Sequence, residues 1–172
     1  QDVADLASAI YAEARNQNSL GKAAVGHTIA TRAALGGVTI GDVVYGSVSK
    51  KYGQYSFSNP NDKNRKAVAK APRTDPKNWA SAVSVAKGIL SGEIENPVPG
   101  ATNYKVSGTK AGWAKKANNL GKVGSHTFYS LPGAEVRGVV RNAAYSPYRR
   151  EALVGADAVN GVTPASLGNA PG

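Results

Sequence analysis

The chain has 172 residues, of which 41% are apolar, and this is enough for one globular domain with a sizeable core. It has no cysteine, which excludes disulfides, thiolate metal sites and cysteine nucleophiles. Lysine and arginine number 21 against 11 acidic residues, so the charge of +10 predicts attraction to polyanions such as nucleic acid or an anionic bacterial envelope. No stretch is long and apolar enough for a membrane span. The chain lacks methionine and opens at Gln1, which indicates a processed product or a segment of a longer protein.

The N-terminal part of the chain predicts two helices joined by a short loop. Residues 2–15 place apolar side chains on one stripe at about 100° per residue, and Glu13 falls on the same stripe. Residues 22–35 form the second apolar stripe and end at a pair of glycines. On this helix Arg32 shares the apolar side, whereas His27 is expected on the opposite, solvent-facing side.

The middle of the chain predicts less regular structure. Residues 39–45 favour one or two helical turns, and residues 46–78 predict an ordered but loop-rich insertion that could hold a helical turn at 64–70. Asn78 is then expected to cap a helix over residues 79–90, where apolar residues again repeat at helical spacing.

The last third of the chain predicts two short strands, at residues 102–107 and 125–131. We therefore expect an α+β fold that is mainly helical and carries a small β-hairpin or short sheet. Residues 1–131 are expected to form one domain. Residues 132–172 are expected to form an extension that is partly packed and then linker-like, because its end is rich in Ala, Gly, Pro and Asn.

Glu13 is the residue whose setting most clearly predicts chemistry. An ionised carboxylate on an apolar stripe is costly, so burial should raise its pKa, as a general acid requires. The alternative is a structural Glu that pairs with Arg15, with Arg32 or with a backbone amide at a helix end. Other carboxylates that could work with Glu13 lie in polar or loop contexts, namely Asp42, Asp62, Asp75, Glu93 and Glu95.

An ordered set of short motifs runs along the chain: IYAEAR at 10–15, GKAAV at 21–25, TR at 31–32, QYSFS at 54–58, NY at 103–104 and GSHTFY at 124–129. The set resembles the bacterial cell-wall hydrolase family of the spore-cortex-lytic enzymes (SleB-like) and covers about residues 4–131. The chain departs from that family at Thr31, where the family has Asn, and in a longer and more basic segment at 46–78.

The resemblance implies a lysozyme-like domain that cleaves the glycan of peptidoglycan between N-acetylmuramic acid and N-acetylglucosamine. Members act as lytic transglycosylases with one essential glutamate, and the matching position here is Glu13. With one carboxylate, the 6-hydroxyl of the muramoyl residue can replace water as the nucleophile, and the same Glu can act first as acid and then as base.

Several further side chains are expected to bind substrate. Arg15 and Arg32 are expected on the substrate side. His126 is interpreted either as a half-buried strand histidine or, following the resemblance, as part of the cleft. Aromatic rings offer flat faces to sugars, with Tyr104 and Trp113 preferred among Tyr55, Phe57, Tyr104, Trp113 and Tyr129. The two histidines lie on separate elements without a supporting carboxylate pattern, so no metal and no cofactor is expected.

Three alternatives to transglycosylation stay open: hydrolysis by a muramidase-type enzyme, a nucleic-acid-binding module that stacks bases on its aromatic residues, and a non-catalytic cell-wall binder. The expected partners are peptidoglycan glycan strands and, through the extension at 132–172, other virion or wall-associated proteins, but no specific nucleic acid. The expected location is extracytoplasmic, in a bacteriophage virion or secreted to the bacterial cell wall. Basic side chains are expected to steer the protein to the wall: Lys50, Lys51, Lys63, Arg65 and Lys66.

Overall fold

The computed structural model describes residues 1–45, 55–58 and 62–131. Within these ranges the protein is an α+β fold with five α-helices and one small antiparallel sheet, as the sequence predicts. The helices are α1 (Asp2–Ala14), α2 (Ser19–Gly36), α3 (Ile40–Tyr45), α4 (Lys63–Thr74) and α5 (Pro76–Ser91). Three of the predictions concern residues outside the described ranges: the wall-steering role of Lys50 and Lys51, the extension at 132–172, and the loop-rich insertion where it covers residues 46–54 and 59–61.

The two N-terminal helices are confirmed, and local signals set their ends. The Asn18 side chain caps α2 by accepting a hydrogen bond from the Gly21 N–H at 2.9 Å, so α2 starts a few residues earlier than predicted. At the other end Gly37 takes a left-handed conformation (φ 62°), and its N–H satisfies carbonyl groups of the last helical turn. The loop between α1 and α2 is therefore only residues 15–18, and it keeps Glu13 close to the start of α2.

The segment before α5 is more helical than predicted. Asp62 caps helix α4, because its carboxylate accepts a hydrogen bond from the Asn64 N–H at 2.7 Å, and the helix extends well beyond the single turn expected. The predicted cap at Asn78 is wrong, because Asn78 lies inside α5 and its amide instead donates to both oxygens of Asp75. Helix α5 starts at Pro76, since proline is well suited to the first helical position.

The sheet contains the two predicted strands and one more. Strands β1 (Asn103–Val106) and β3 (His126–Ser130) are confirmed, and β2 (Asn118–Val123) is an additional strand. All pairs are antiparallel, in the order β1-β3-β2, so the mostly buried β3 is central and the largely exposed β2 lies at an edge.

Helix α2 lies in the middle of the fold and contacts α1, α3, α5 and the sheet. Residues 21–31 are therefore all buried. His27 is only 1% exposed, and its Nε2–H donates to the Ile94 carbonyl at 2.9 Å, while burial lowers its pKa. The prediction that His27 faces solvent is wrong, because α2 is covered on more than one side.

A small residue allows α1, α2 and α5 to approach closely. A Cβ at Gly26 of α2 would collide with Ile89 of α5 and would lie 2.9 Å from Cδ1 of Ile10 of α1. Ile10 and Ile89 are fully buried and belong to the same core. This contact fixes the C-terminal half of α1, and with it Glu13, against the helical layer.

Candidate active site

A pocket of about 300 Å³ opens between the helices and the sheet. Its lining comes from five separate parts of the chain: Glu13 of α1, Arg32 of α2, Tyr55, Asn103 and Tyr104 of β1, and Trp113 of a 3₁₀ turn at Gly112–Lys116. Of the predicted site residues, Glu13, Arg32, Tyr55, Tyr104 and Trp113 are thus brought together here.

Glu13 is the carboxylic acid in this lining. It lies one residue before the end of α1 and accepts a hydrogen bond from the Tyr104 hydroxyl, with 3.3 Å between Oη and Oε2. Burial raises the pKa of Glu13, the hydrogen bond from Tyr104 opposes this rise, and the negative charge of Asp62 adds to it. A raised pKa keeps the proton on the carboxyl group at higher pH, which suits proton donation to a leaving group.

Two tyrosines and one arginine surround this carboxyl group. Burial, together with the charge of Glu13 and the neighbouring Tyr55, raises the pKa of Tyr104 well above its ordinary value, whereas Arg32 opposes the rise. Burial also raises the pKa of Tyr55, again with Arg32 opposing and Glu13 adding to the effect. Both phenols therefore stay protonated and can donate hydrogen bonds, while Arg32 provides the positive charge of the pocket.

Trp113 and Asn103 complete the lining of the pocket. Trp113 stacks edge-on against Tyr129, with ring centroids 5.3 Å apart, and this contact orients its indole. Asn103 was not among the predicted site residues, although it stands in the NY motif at 103–104, because only its neighbour Tyr104 was interpreted as a substrate contact. Its amide adds both a donor and an acceptor to the lining.

The other predicted site residues do not line the pocket. Phe57 and Tyr129 are buried, with Phe57 in the core beside Tyr55 and Tyr129 behind Trp113. The Arg15 guanidinium lies 5.6 Å from the ring centroid of Tyr11, outside the lining. Their expected contacts with substrate stay predictions, and the first two lie behind residues that do line the pocket.

His126 lies behind the pocket and supports Tyr104. It is 6% exposed, and its ring packs edge-on against Tyr104 with centroids 5.2 Å apart. Burial lowers the pKa of His126, which favours the neutral imidazole. His126 is thus a buried strand histidine outside the pocket lining whose ring contacts Tyr104, and its expected contact with substrate stays a prediction.

The remaining candidate carboxylates differ in their relation to Glu13. Asp42 accepts hydrogen bonds from Thr39 at the start of α3, and hydrogen bonds from Asn78 and Tyr11 lower the pKa of Asp75. Glu93 and Glu95 are exposed. Asp62 caps α4 and does not line the pocket, but its charge acts on Glu13.

Within residues 1–45, 55–58 and 62–131, no cluster of three or more His, Asp or Glu residues is arranged to hold a metal ion. In the same ranges, no helix has the length and apolar character needed to cross a membrane. The lining of the pocket itself offers carboxyl, phenol, guanidinium, amide and indole groups.

A pocket that combines a carboxyl group of raised pKa with aromatic and polar side chains has the features of an enzyme active site. Residues 16–129, more than half of the chain, match the model of the cell wall hydrolase family. The chain belongs to this family, and membership supports a peptidoglycan-degrading function. Glu13 lies three residues before the matched segment, whereas the other pocket residues lie inside it. Neither the curated proteins nor the solved structures gave a match.

Proposed function

We propose that the protein is a glycosidase that cleaves the bond between N-acetylmuramic acid and N-acetylglucosamine, acting as a lytic transglycosylase with Glu13 as its acid and base. The observation that supports this most strongly is the raised pKa of the one carboxyl group in the lining of the described pocket. The motif resemblance to the spore-cortex-lytic enzymes, which have a lysozyme-like fold, supports the same reaction.

The proposed reaction uses Glu13 twice. Its carboxyl group gives a proton to the glycosidic oxygen, and the bond from that oxygen to C1 of the muramoyl residue breaks. The muramoyl 6-hydroxyl oxygen then bonds to the same carbon, and its proton returns to the Glu13 carboxylate. No water is consumed, the new end is a 1,6-anhydro ring, and the enzyme is restored to its starting protonation state.

The lining residues would hold the sugar during this reaction. Trp113 and Tyr104 offer aromatic faces for sugar rings, while Arg32 and Asn103 offer charged and neutral hydrogen-bond donors. The Tyr104 hydroxyl has a second role, because its hydrogen bond stabilises the ionised form of Glu13 after proton transfer.

Hydrolysis is the second candidate, and one observation favours it. A hydrolase needs a second carboxylate, roughly 5–9.5 Å from the acid, as nucleophile or base. Asp62 has an electrostatic effect on Glu13 despite its position at the start of α4, so it is the carboxylate to consider for that role. Its existing hydrogen bond to the Asn64 N–H would compete with activation of a water molecule.

The setting that fits this function is the bacterial cell wall, reached either from a bacteriophage virion or by secretion. The proposed partners are peptidoglycan glycan strands, with virion or wall-associated proteins binding the extension at 132–172. A specific nucleic-acid-binding role fits less well, because a surface that binds a polyanion gains nothing from a partly buried carboxylic acid of raised pKa. A wall binder without activity would have no use for an acid of raised pKa.

The test is product identification. Purified sacculi would be digested in ordinary water and in heavy-oxygen water, and the muropeptides separated and weighed, with Glu13→Gln protein as the background. Anhydro ends without heavy oxygen support the transglycosylase. Reducing muramic ends that carry heavy oxygen would establish hydrolysis instead and direct attention to Asp62. Free peptides with intact glycan would mean an amidase and overturn the role of Glu13, and absence of any release would leave only a binding module.

A further inference from the structure

The side chain of Gln17, in the loop between α1 and α2, holds the turn between β2 and β3. Its Oε1 accepts a hydrogen bond from the Ser125 N–H at 3.0 Å, and its Nε2 donates to the Ser125 Oγ at 2.7 Å. The two residues are 108 positions apart in sequence. One amide thus makes a two-point contact, which fixes orientation as well as distance between helical layer and sheet.

Two glycines leave room for this contact. A Cβ at Gly21, in the first turn of α2, would lie 2.8 Å from the Gln17 Cβ, and a Cβ at Gly124 would collide with the Gln17 Oε1. Gly124 also has φ 59°, a left-handed conformation that glycine adopts without strain. The sequence therefore provides space for the Gln17 amide from both the helix and the turn.

Gln17 and Ser125 are both close to pocket residues along the chain. On the helical side, the Gln17 N–H donates to the Ala14 carbonyl at 2.9 Å, and Ala14 follows Glu13 directly. On the sheet side, Ser125 precedes His126, which pairs with β1 and packs its ring against Tyr104. The hydrogen bond from Tyr104 to Glu13 is thus a second contact between the sheet and the helical layer.

We propose that Gln17 is a positioning residue that keeps the Tyr104 hydroxyl within reach of Glu13. The Tyr104–Glu13 hydrogen bond is 3.3 Å long, beyond the usual 2.5–3.0 Å of O–H···O hydrogen bonds, so a small retreat of the sheet would break it. Gln17 touches neither the pocket nor the reacting atoms, and it acts only through the placement of β3 and β1. The expected effect on rate rests on the proposed function of Glu13.

The first test is a double-mutant cycle on the rate of glycan release from sacculi. Gln17→Ala and Tyr104→Phe are each expected to lower kcat/KM by about 3- to 10-fold, the effect of losing one hydrogen bond. Because both changes remove the same interaction, the double variant should be no worse than the poorer single variant. The proposal would be overturned if the losses of rate in the two single variants multiplied in the double variant, or if Gln17→Ala had wild-type activity. Asn16→Ala, at an exposed neighbour in the same loop, is the matched control and should be unaffected.

The second test reads Glu13 directly and needs no activity. In a carboxyl-labelled protein, NMR should show the titration midpoint of Glu13 moving to higher pH in Gln17→Ala, in the same direction as in Tyr104→Phe, because the carboxylate loses a hydrogen bond that stabilises it. Asn16→Ala, the matched control at an exposed position of the same loop, should leave the midpoint unchanged. An unchanged or lowered midpoint in folded Gln17→Ala protein refutes the positioning role. A finding that the wild-type protein is not a glycosidase would refute the proposed function, but it would not affect this NMR result.

Discussion

Replacing Glu13 by Gln should make the protein more stable at neutral pH than the wild type. Burial raises the pKa of Glu13 above its ordinary value of 4.5, so the folded chain holds this proton to higher pH than the unfolded chain. Tighter proton binding by Glu13 stabilises the folded state. This contribution is complete at pH values below the ordinary pKa of Glu and is lost as the pH rises through the pKa of Glu13 in the folded state. Above that window the wild type carries a partly buried charge that Gln lacks.

The size of the effect follows from the surroundings of the carboxylate. It is half-buried and accepts one long hydrogen bond, and Gln can still accept that hydrogen bond through its own oxygen. Removing an incompletely compensated buried polar group is worth about 1 kcal/mol. For a chain of this length, that corresponds to a rise in Tm of about 2–4 °C.

Thermal unfolding followed by circular dichroism at about pH 4 and about pH 8 measures this difference. The Tm of Glu13→Gln should exceed that of the wild type at the higher pH, and the difference should shrink at the lower pH. Glu93→Gln, at an exposed glutamate, is the control and should show no such gap. An equal difference at both pH values, or a less stable Glu13→Gln variant at the higher pH, would refute the electrostatic reasoning.

Two further predictions concern charges around the pocket. Asp62→Asn should lower the pKa of Glu13, because the negative charge of Asp62 raises it, and the alkaline limb of the pH–rate profile should move to lower pH; an unmoved limb would contradict this coupling. The double variant Lys63→Gln and Lys66→Gln, at exposed positions of α4, removes two positive charges and should therefore bind sacculi more weakly. Its binding should also depend less on salt, because salt screens exposed charges beyond about 8–10 Å and fewer such charges remain to be screened. The control is the double variant Lys77→Gln and Lys87→Gln on α5. An equal effect in this control would show that the lysines of α4 do not bind the wall in particular.

Apolar periodicity predicted the helices and strands that bury one face, such as α1, α5, β1 and β3, because their sequence pattern and their packing agree. It found only one turn of α4, where Val68 and Ala71 are the buried residues among many charged ones, and it missed β2, which is largely exposed. It also failed for His27, because residues buried on several sides of a helix no longer show which face is apolar.

Sequence patterns identified the residues of the candidate site that stand out locally, but not the contacts between residues far apart in the chain. Glu13 stands out locally as an acid on an apolar stripe, but its partner Tyr104 is 91 residues away. Nothing in the spacing of the chain indicates that distant pair, or the pairing of Gln17 with Ser125. These contacts depend on how the sheet packs against α2, and only the ordered motifs placed Tyr104 and Glu13 in one cleft.

The rate at which Glu13→Gln releases soluble glycan from purified sacculi tests the central claim most directly. Proton transfer by a positioned side chain contributes about 10²–10⁴-fold, and the described pocket lining holds no other carboxyl group to replace it. The rate should therefore fall by at least about 100-fold, equivalent to about 3 kcal/mol in activation free energy, while circular dichroism shows an intact fold. Clearing of sacculi at a near-wild-type rate by the folded variant would show that Glu13 is not the acid.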